Sequence, residues 1–95
     1  MAVAVIVELD DTTVAQYDSI LEILGFTPGG PMAAGGLFHW VTATDAGVRV
    51  TDVWNSADDF QRFANEQLAP ALQKAGVANE PRISFETVHN FLTAG

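Results

Sequence analysis

Two alternating runs, LFHWVTAT (37–44) and VRVTDVW (48–54), flank Asp45, Ala46 and Gly47, and they constrain the fold more than any other stretch of this 95-residue chain. Alternation of apolar and polar residues around a short Asp- and Gly-containing turn predicts a β-hairpin. Because side chains on a strand alternate with period two, the length of the turn decides which residues share the buried face. A three-residue loop, with the glycine in a left-handed bulge, sets Thr44 against Val48 and His39 opposite Val53, leaving His39 and Asp52 on different faces. A loop of two or four residues instead gathers Leu37, His39, Val41, Ala43, Val50, Asp52 and Trp54 on one face, with Phe38, Trp40, Thr42, Thr44, Arg49, Thr51 and Val53 on the other. The second arrangement segregates Thr and Arg onto one side, as a half-buried sheet requires, and is preferred even though the turn chemistry favours the first.

The remaining elements follow from local signals. Ala2 to Leu9, rich in Val and Ile, predicts a buried first strand. Asp10, Asp11, Thr12 and Thr13 offer N-caps for a helix over 12–24, in which Val14, Tyr17, Leu21 and Leu24 recur at helical spacing with Ile20 widening the stripe, and Gly25 supplies the stop. FTPGGPMAAGG (26–36) is a long loop, read either as a connector or as a flap over a pocket with Met32 as its apolar tip. Ser56 with Asp59 resembles a capping box, and Phe60, Phe63, Leu68 and Leu72 line a second helix that Pro70 should kink or divide near Leu68 to Ala69, with Gly76 closing it. After Pro81 a last strand runs from Arg82 to about Asn90, with Ile83, Phe85, Thr87, His89 and Phe91 on the helix side.

The sum is an α+β chain of ferredoxin-like order, β-α-β-β-α-β, read as a single domain over 1–95: four antiparallel strands in the order 4-1-3-2 carry both helices on one face. In that order the second and third strands are neighbours, so His39 and Asp52 form a cross-strand pair about 5 Å apart at Cβ. His89 lies three strands from His39, about 14 Å away, and is not its direct partner. A buried carboxylate without a partner costs several kcal/mol, so the histidine within the apolar LFHWV stretch is expected to meet Asp52.

Composition excludes several classes of function. Twelve acidic residues against Arg49, Arg62, Lys74 and Arg82 give a net charge of −8, which repels nucleic acid and anionic membrane. With no cysteine there is no disulfide framework, thiolate nucleophile or Cys-based zinc site. The opening MAVAVIVELD lacks a basic n-region and reaches charge at Glu8, so it is expected to be neither a signal peptide nor a membrane span, and the protein is expected to be cytoplasmic. No P-loop or G-x-G-x-x-G stands in the right context, no G-x-S-x-G elbow supports a serine triad, and the two histidines lack metal-ligand spacing, so neither a metal nor a cofactor is expected. A chain this small hides only roughly two thirds of its unfolded surface, which makes extra burial in an oligomer useful, and Phe38 and Trp40 on the outer face suit a second subunit.

The candidate catalytic residues are His39 as base and Asp52 as its orienting partner. Trp54 and Phe60 are candidate aromatic walls for a substrate, with Tyr17, His89 and Met32 as further binding residues. Tyr17 is open to two readings, a hydrogen-bond donor to a bound oxygen or a core residue. Arg62 reads as a solvated charge.

The segment GVRVTDVWNSADDF joining strand three to helix two, with the final ISFETVHNFL and the overall element order, resembles the dimeric α+β barrel superfamily, and within it the small antibiotic biosynthesis monooxygenase-like proteins. The resemblance covers nearly the whole chain. It implies a homodimer whose sheets pack face to face, with a pocket in each subunit between sheet and helices. Members include cofactor-independent monooxygenases acting on polycyclic phenols, polyketide cyclases, isomerases, haem-degrading enzymes and proteins that only bind ligands, so the fold leaves function open. Two readings stand: an enzyme using cofactor-independent acid–base chemistry on an aromatic or polyketide-like molecule, as a monooxygenase, cyclase or isomerase, and a non-catalytic small-molecule binding or sensing dimer.

Overall fold

A computed structural model describes residues 1–94. Strand β1 (Val3–Asp10) leads into helix α1 (Val14–Leu24), then the hairpin β2 (Gly36–Ala43) and β3 (Gly47–Trp54), then α2 (Ala57–Phe63), a π-helical turn (Ala64–Leu68), α3 (Ala69–Lys74) and β4 (Arg82–Thr87). The strands form one antiparallel sheet in the order β2-β3-β1-β4, the expected ferredoxin-like arrangement.

The hairpin resolves the two registers in favour of the pairing His39 with Asp52, Val41 with Val50 and Ala43 with Val48. Thr44 and Gly47 close it through backbone bonds of 2.8 and 3.3 Å, so the turn holds only Asp45 and Ala46. Gly47 is not in a left-handed conformation, and the bulge that its presence suggests does not form. It is required for a different reason: a Cβ there would run into the carbonyl oxygen of Leu9 where β1 and β3 approach. The ladder is irregular only near its open end, between Gly36 and Phe38.

One sheet face is the core. Val5, Val7 and Leu9 from β1 and Val48, Val50 and Trp54 from β3 pack against Tyr17, Ile20, Phe60, Ala71 and Leu72 from the helices. Each of the larger aliphatic and aromatic side chains contributes about 1.5–3 kcal/mol through burial, and Ala71 less. Helix α1 begins with a complete capping box between Thr13 and Gln16 and ends at Gly25, whose φ of 80° is the left-handed cap. Val14 belongs to the predicted stripe but stands half exposed at the first turn, so the buried stripe starts at Tyr17.

Pro70 divides the second helix as its chemistry requires. Lacking an N–H, it cannot bond back to Glu66, and the backbone widens just before it, with the Ala69 N–H reaching the Ala64 carbonyl in a π turn. Ser56 caps α2 by accepting from the Asp59 N–H, while the Asp59 carboxylate goes to Arg62 instead of completing a capping box.

The last strand is shorter than its alternation suggests. Val3 pairs with Thr87 and the Val88 N–H reaches the Ala2 carbonyl, where the β1 ladder ends and the strand loses its partner. His89 is therefore exposed off the sheet and not on the helix side. Phe91 crosses to the outer face and meets Phe38 edge-on at 5.3 Å.

Gly47→Ala is expected to lower stability by more than ~1 kcal/mol, since the β1 backbone cannot yield to a Cβ. Urea unfolding measures this, and an unchanged midpoint would contradict the close approach.

Candidate active site

Four side chains from three elements meet on the core face of the sheet. Asp52 and Trp54, two residues apart on β3, point to the same side, and the indole Nε1–H of Trp54 donates to Asp52 Oδ2 at 3.0 Å. The other carboxylate oxygen, Oδ1, lies 2.6 Å from His39 Nδ1 on the neighbouring strand β2. On its far side, His39 Nε2 lies 2.5 Å from the hydroxyl of Tyr17, in the second turn of α1. The two rings are nearly parallel, with centroids 6.0 Å apart.

The protonation pattern follows from the partners. A carboxylate only accepts, so the neutral imidazole carries its hydrogen on Nδ1, and its Nε2 lone pair accepts from the Tyr17 hydroxyl. Asp52, only 4% exposed, has a donor at each oxygen, which removes the cost of burying an unpaired charge. Burial pushes the Tyr17 phenol up to about 12, and the negative charges of Asp52 and then Asp18 act in the same direction. Tyr17 therefore stays a neutral hydroxyl across the physiological range.

These groups face a cavity of about 800 Å³ between the sheet, α1, α2 and the loop 26–36. Its walls are mainly apolar and aromatic, with Trp54 from the sheet, Phe60 and Phe63 from α2, and Phe26, Pro28 and Pro31 from the loop. Phe63 bridges Trp54 and Phe26, at centroid distances of 5.3 and 6.1 Å. The loop is thus part of the cavity wall. Met32 is half buried, packs against the core and folds back over Gly36, where it removes its apolar surface from water while lining the cavity.

None of the four basic side chains lines the cavity. Arg49 pairs with Glu8, Arg62 with Asp59 and Arg82 with Asp10, all at the surface, and the Arg82 hydrogen bond holds the Asp10 carboxyl below its ordinary value. Among the described residues no cluster of three or more His, Asp or Glu side chains is arranged to hold a metal ion, and no helix is long and apolar enough to cross a membrane.

The structure brings together His39, Asp52, Trp54 and Tyr17 and sets Phe60 and Met32 in the wall, whereas His89 lies outside the cavity because β4 ends before it. Two links are not foreseen from the sequence: Trp54 as a donor to Asp52, and Tyr17 on His39. The first is latent in the i, i+2 spacing on one strand face. The second is latent in Tyr17 lying on the helix stripe that faces the sheet, although only the helix position fixes which strand residue it meets.

Sequence comparison finds no matching family model and no matching curated protein. Solved structures do match. A protein of unknown function, NE2512 from Nitrosomonas europaea, superposes with a TM-score of 0.68 at 19% identity, over 99% of this chain and 96% of that one. SnoaB, a cofactor-independent oxygenase from Streptomyces nogalater, gives 0.61 at 17% identity over 98% and 97%. The ActVA-Orf6 monooxygenase of Streptomyces coelicolor, in complex with nanaomycin D, gives 0.58 at 19% identity over 99% and 92%. Further structures with the same fold carry the provisional name antibiotic biosynthesis monooxygenase.

Tyr17 is the single tyrosine, so its ionisation is readable in the ultraviolet spectrum. The folded protein should titrate near pH 12 where the unfolded chain titrates near 10.0. Between these values the unfolded state has released the proton and the folded state has not, so this contribution to stability is complete below pH 10 and lost as pH rises toward 12. A native midpoint near 10 would mean that the hydroxyl is solvated and not held against His39. In its sheet order and helix placement, the chain has the fold shared by these solved structures, among them the oxygenase SnoaB and the ActVA-Orf6 monooxygenase.

Proposed function

We propose that this protein is a small-molecule enzyme of the cytoplasm that uses cofactor-independent acid–base chemistry on a neutral, polycyclic aromatic or polyketide-like substrate. The observation that carries the reading is a largely apolar cavity of about 800 Å³ into which a carboxylate-oriented imidazole is set. A cavity of this size suits a ligand of several rings. Its aromatic walls favour a flat molecule, and the absence of any Lys or Arg in the lining disfavours a phosphate, a carboxylate or a phosphate-bearing cofactor.

In this reading His39 takes an acidic proton from the substrate while Asp52 holds the imidazole in the right tautomer and balances the imidazolium that forms. The resulting enolate or phenolate is the reactive species. Where it meets dioxygen the outcome is oxygenation, and where it does not the outcome is cyclisation or isomerisation. Two proteins of the same fold, the oxygenase SnoaB and the ActVA-Orf6 monooxygenase with its bound nanaomycin D, support the oxygenase branch.

The same reading makes the protein a homodimer joined through the outer sheet face. Trp40 there is 51% exposed, and Phe38 and Phe91 form an aromatic contact beside it, an apolar patch that a second sheet would cover.

The test is turnover of a panel of neutral hydroxyquinones in air with no added cofactor, followed by oxygen uptake and product analysis. Wild type should convert at least one member, and His39→Ala should bind it but lose about a hundredfold or more in kcat. Binding without turnover by the wild type would instead identify a ligand-binding dimer, and absence of binding across the panel would overturn both assignments. Asp52→Asn should also lower kcat, because an amide offers one acceptor to the two donors that meet the carboxylate, the Trp54 Nε1–H and the His39 Nδ1–H, and cannot balance the imidazolium charge.

A further inference from the structure

Both nitrogens of His39 are occupied, Nδ1 by Asp52 at 2.6 Å and Nε2 by Tyr17 at 2.5 Å. No lone pair on the imidazole is free to receive a proton from a ligand, even though the ring borders the cavity. Tyr17 also lines the cavity, and when its hydrogen is donated to Nε2 the lone pairs of its oxygen remain available.

We propose that Tyr17 is a catalytic residue that carries the proton between the substrate hydroxyl and His39, so that the ligand's acidic oxygen docks on the Tyr17 oxygen and not on the imidazole. This rests on the acid–base reading above and specifies the route that the proton takes. The ligand O–H donates to Tyr17 Oη while the Tyr17 O–H donates to His39 Nε2. In the transfer the ligand O–H bond breaks and a new Oη–H bond forms, while the original Oη–H bond breaks and an Nε2–H bond forms. The products are a ligand oxyanion, a neutral Tyr17 that now donates to that oxyanion, and an imidazolium paired with the Asp52 carboxylate. No electron changes hands and no co-reactant is needed.

The surroundings fit a hydroxyl that conducts a proton without retaining a charge. The titratable groups facing it are Asp18 on its own helix, Asp52 on β3 and His39 on β2, while the loop 26–36 and the cavity-facing residues of α2 and α3 contribute none. With two carboxylates nearby and no cation in the lining, a lasting phenolate at Tyr17 is disfavoured, which agrees with its raised titration. Trp54 anchors the far end of the chain, since its indole N–H holds Oδ2 and leaves Oδ1 aimed at His39.

Alizarin, a flat hydroxyquinone whose colour reports its ionisation, is the probe. Bound to the wild type it should ionise at lower pH than in free solution, and His39→Ala should abolish that displacement. Tyr17→Phe should bind alizarin within about tenfold of wild type and also abolish the displacement, although it leaves His39 and Asp52 in place. Because Tyr17 is the only tyrosine, uniform replacement by the more acidic fluorotyrosine alters this hydroxyl alone without deleting it, and it should change the ionisation midpoint of the bound probe. If Tyr17→Phe keeps the displacement while His39→Ala loses it, the ligand reaches Nε2 directly and the relay is wrong while the base assignment stands. If fluorotyrosine leaves the midpoint unchanged, the relay is likewise overturned. If His39→Ala keeps the displacement, or the wild type does not bind alizarin, the acid–base reading itself falls.

Discussion

A carboxylate buried in the core can persist only if both of its oxygens are engaged, and the arrangement of this molecule's interior follows from how Asp52 meets that requirement. One oxygen takes the Trp54 indole N–H from its own strand and the other takes His39 from the neighbouring strand. Removing either donor leaves a buried acceptor unpaired, at a cost of about 1–3 kcal/mol or more for a charged group. Asp52 therefore pins the β2–β3 register, fixes the rotamer of the largest core side chain and orients the imidazole. The aromatic wall that Trp54 forms with Phe60 and Phe63 depends on the same bond. Packing and chemistry are in this sense supported by one polar network.

The parts of the fold that are legible in the sequence are those set by period and punctuation. The hairpin, the capped first helix with its glycine stop, and the division of the second helix at Pro70 all come from residues whose backbone preferences act locally. The pairing of His39 with Asp52 is legible as well, but through segregation of polar residues between two faces and not through turn chemistry. Gly47 points toward a bulge when read alone, and its real constraint, a close approach by the Leu9 carbonyl, comes from a strand nearly forty residues earlier in the chain.

What sequence reading misses has the same character. Strand β4 keeps its alternation through Phe91, yet it stops at Thr87 because strand length is limited by the partner and not by the pattern. His89, which the alternation carries into the pocket, is lost to it for that reason. The Tyr17 contact with His39 depends on where α1 crosses the sheet, a tertiary quantity that helical spacing constrains only to a face.

The two-residue turn at Asp45 and Ala46 carries a consequence for how such a chain can diversify. Loop tips are usually where insertions and deletions accumulate. Here a single added residue, if the turn kept two residues, would change the parity of β2 and turn His39 toward the outer face, exchanging it with Trp40. An edit at the periphery, far along the hairpin from the cavity mouth, would thus erase the polar network without touching any of its members. The loop before β2 is free of that restriction, because it is tied at its ends by the Phe26 contact with Phe63 and by the Gly35 carbonyl that accepts from Asn55, and residues 26–35 pair with no strand. Lineages carrying this architecture can therefore reshape what the cavity admits by varying one loop, while the other is held to a fixed length by the chemistry it indexes.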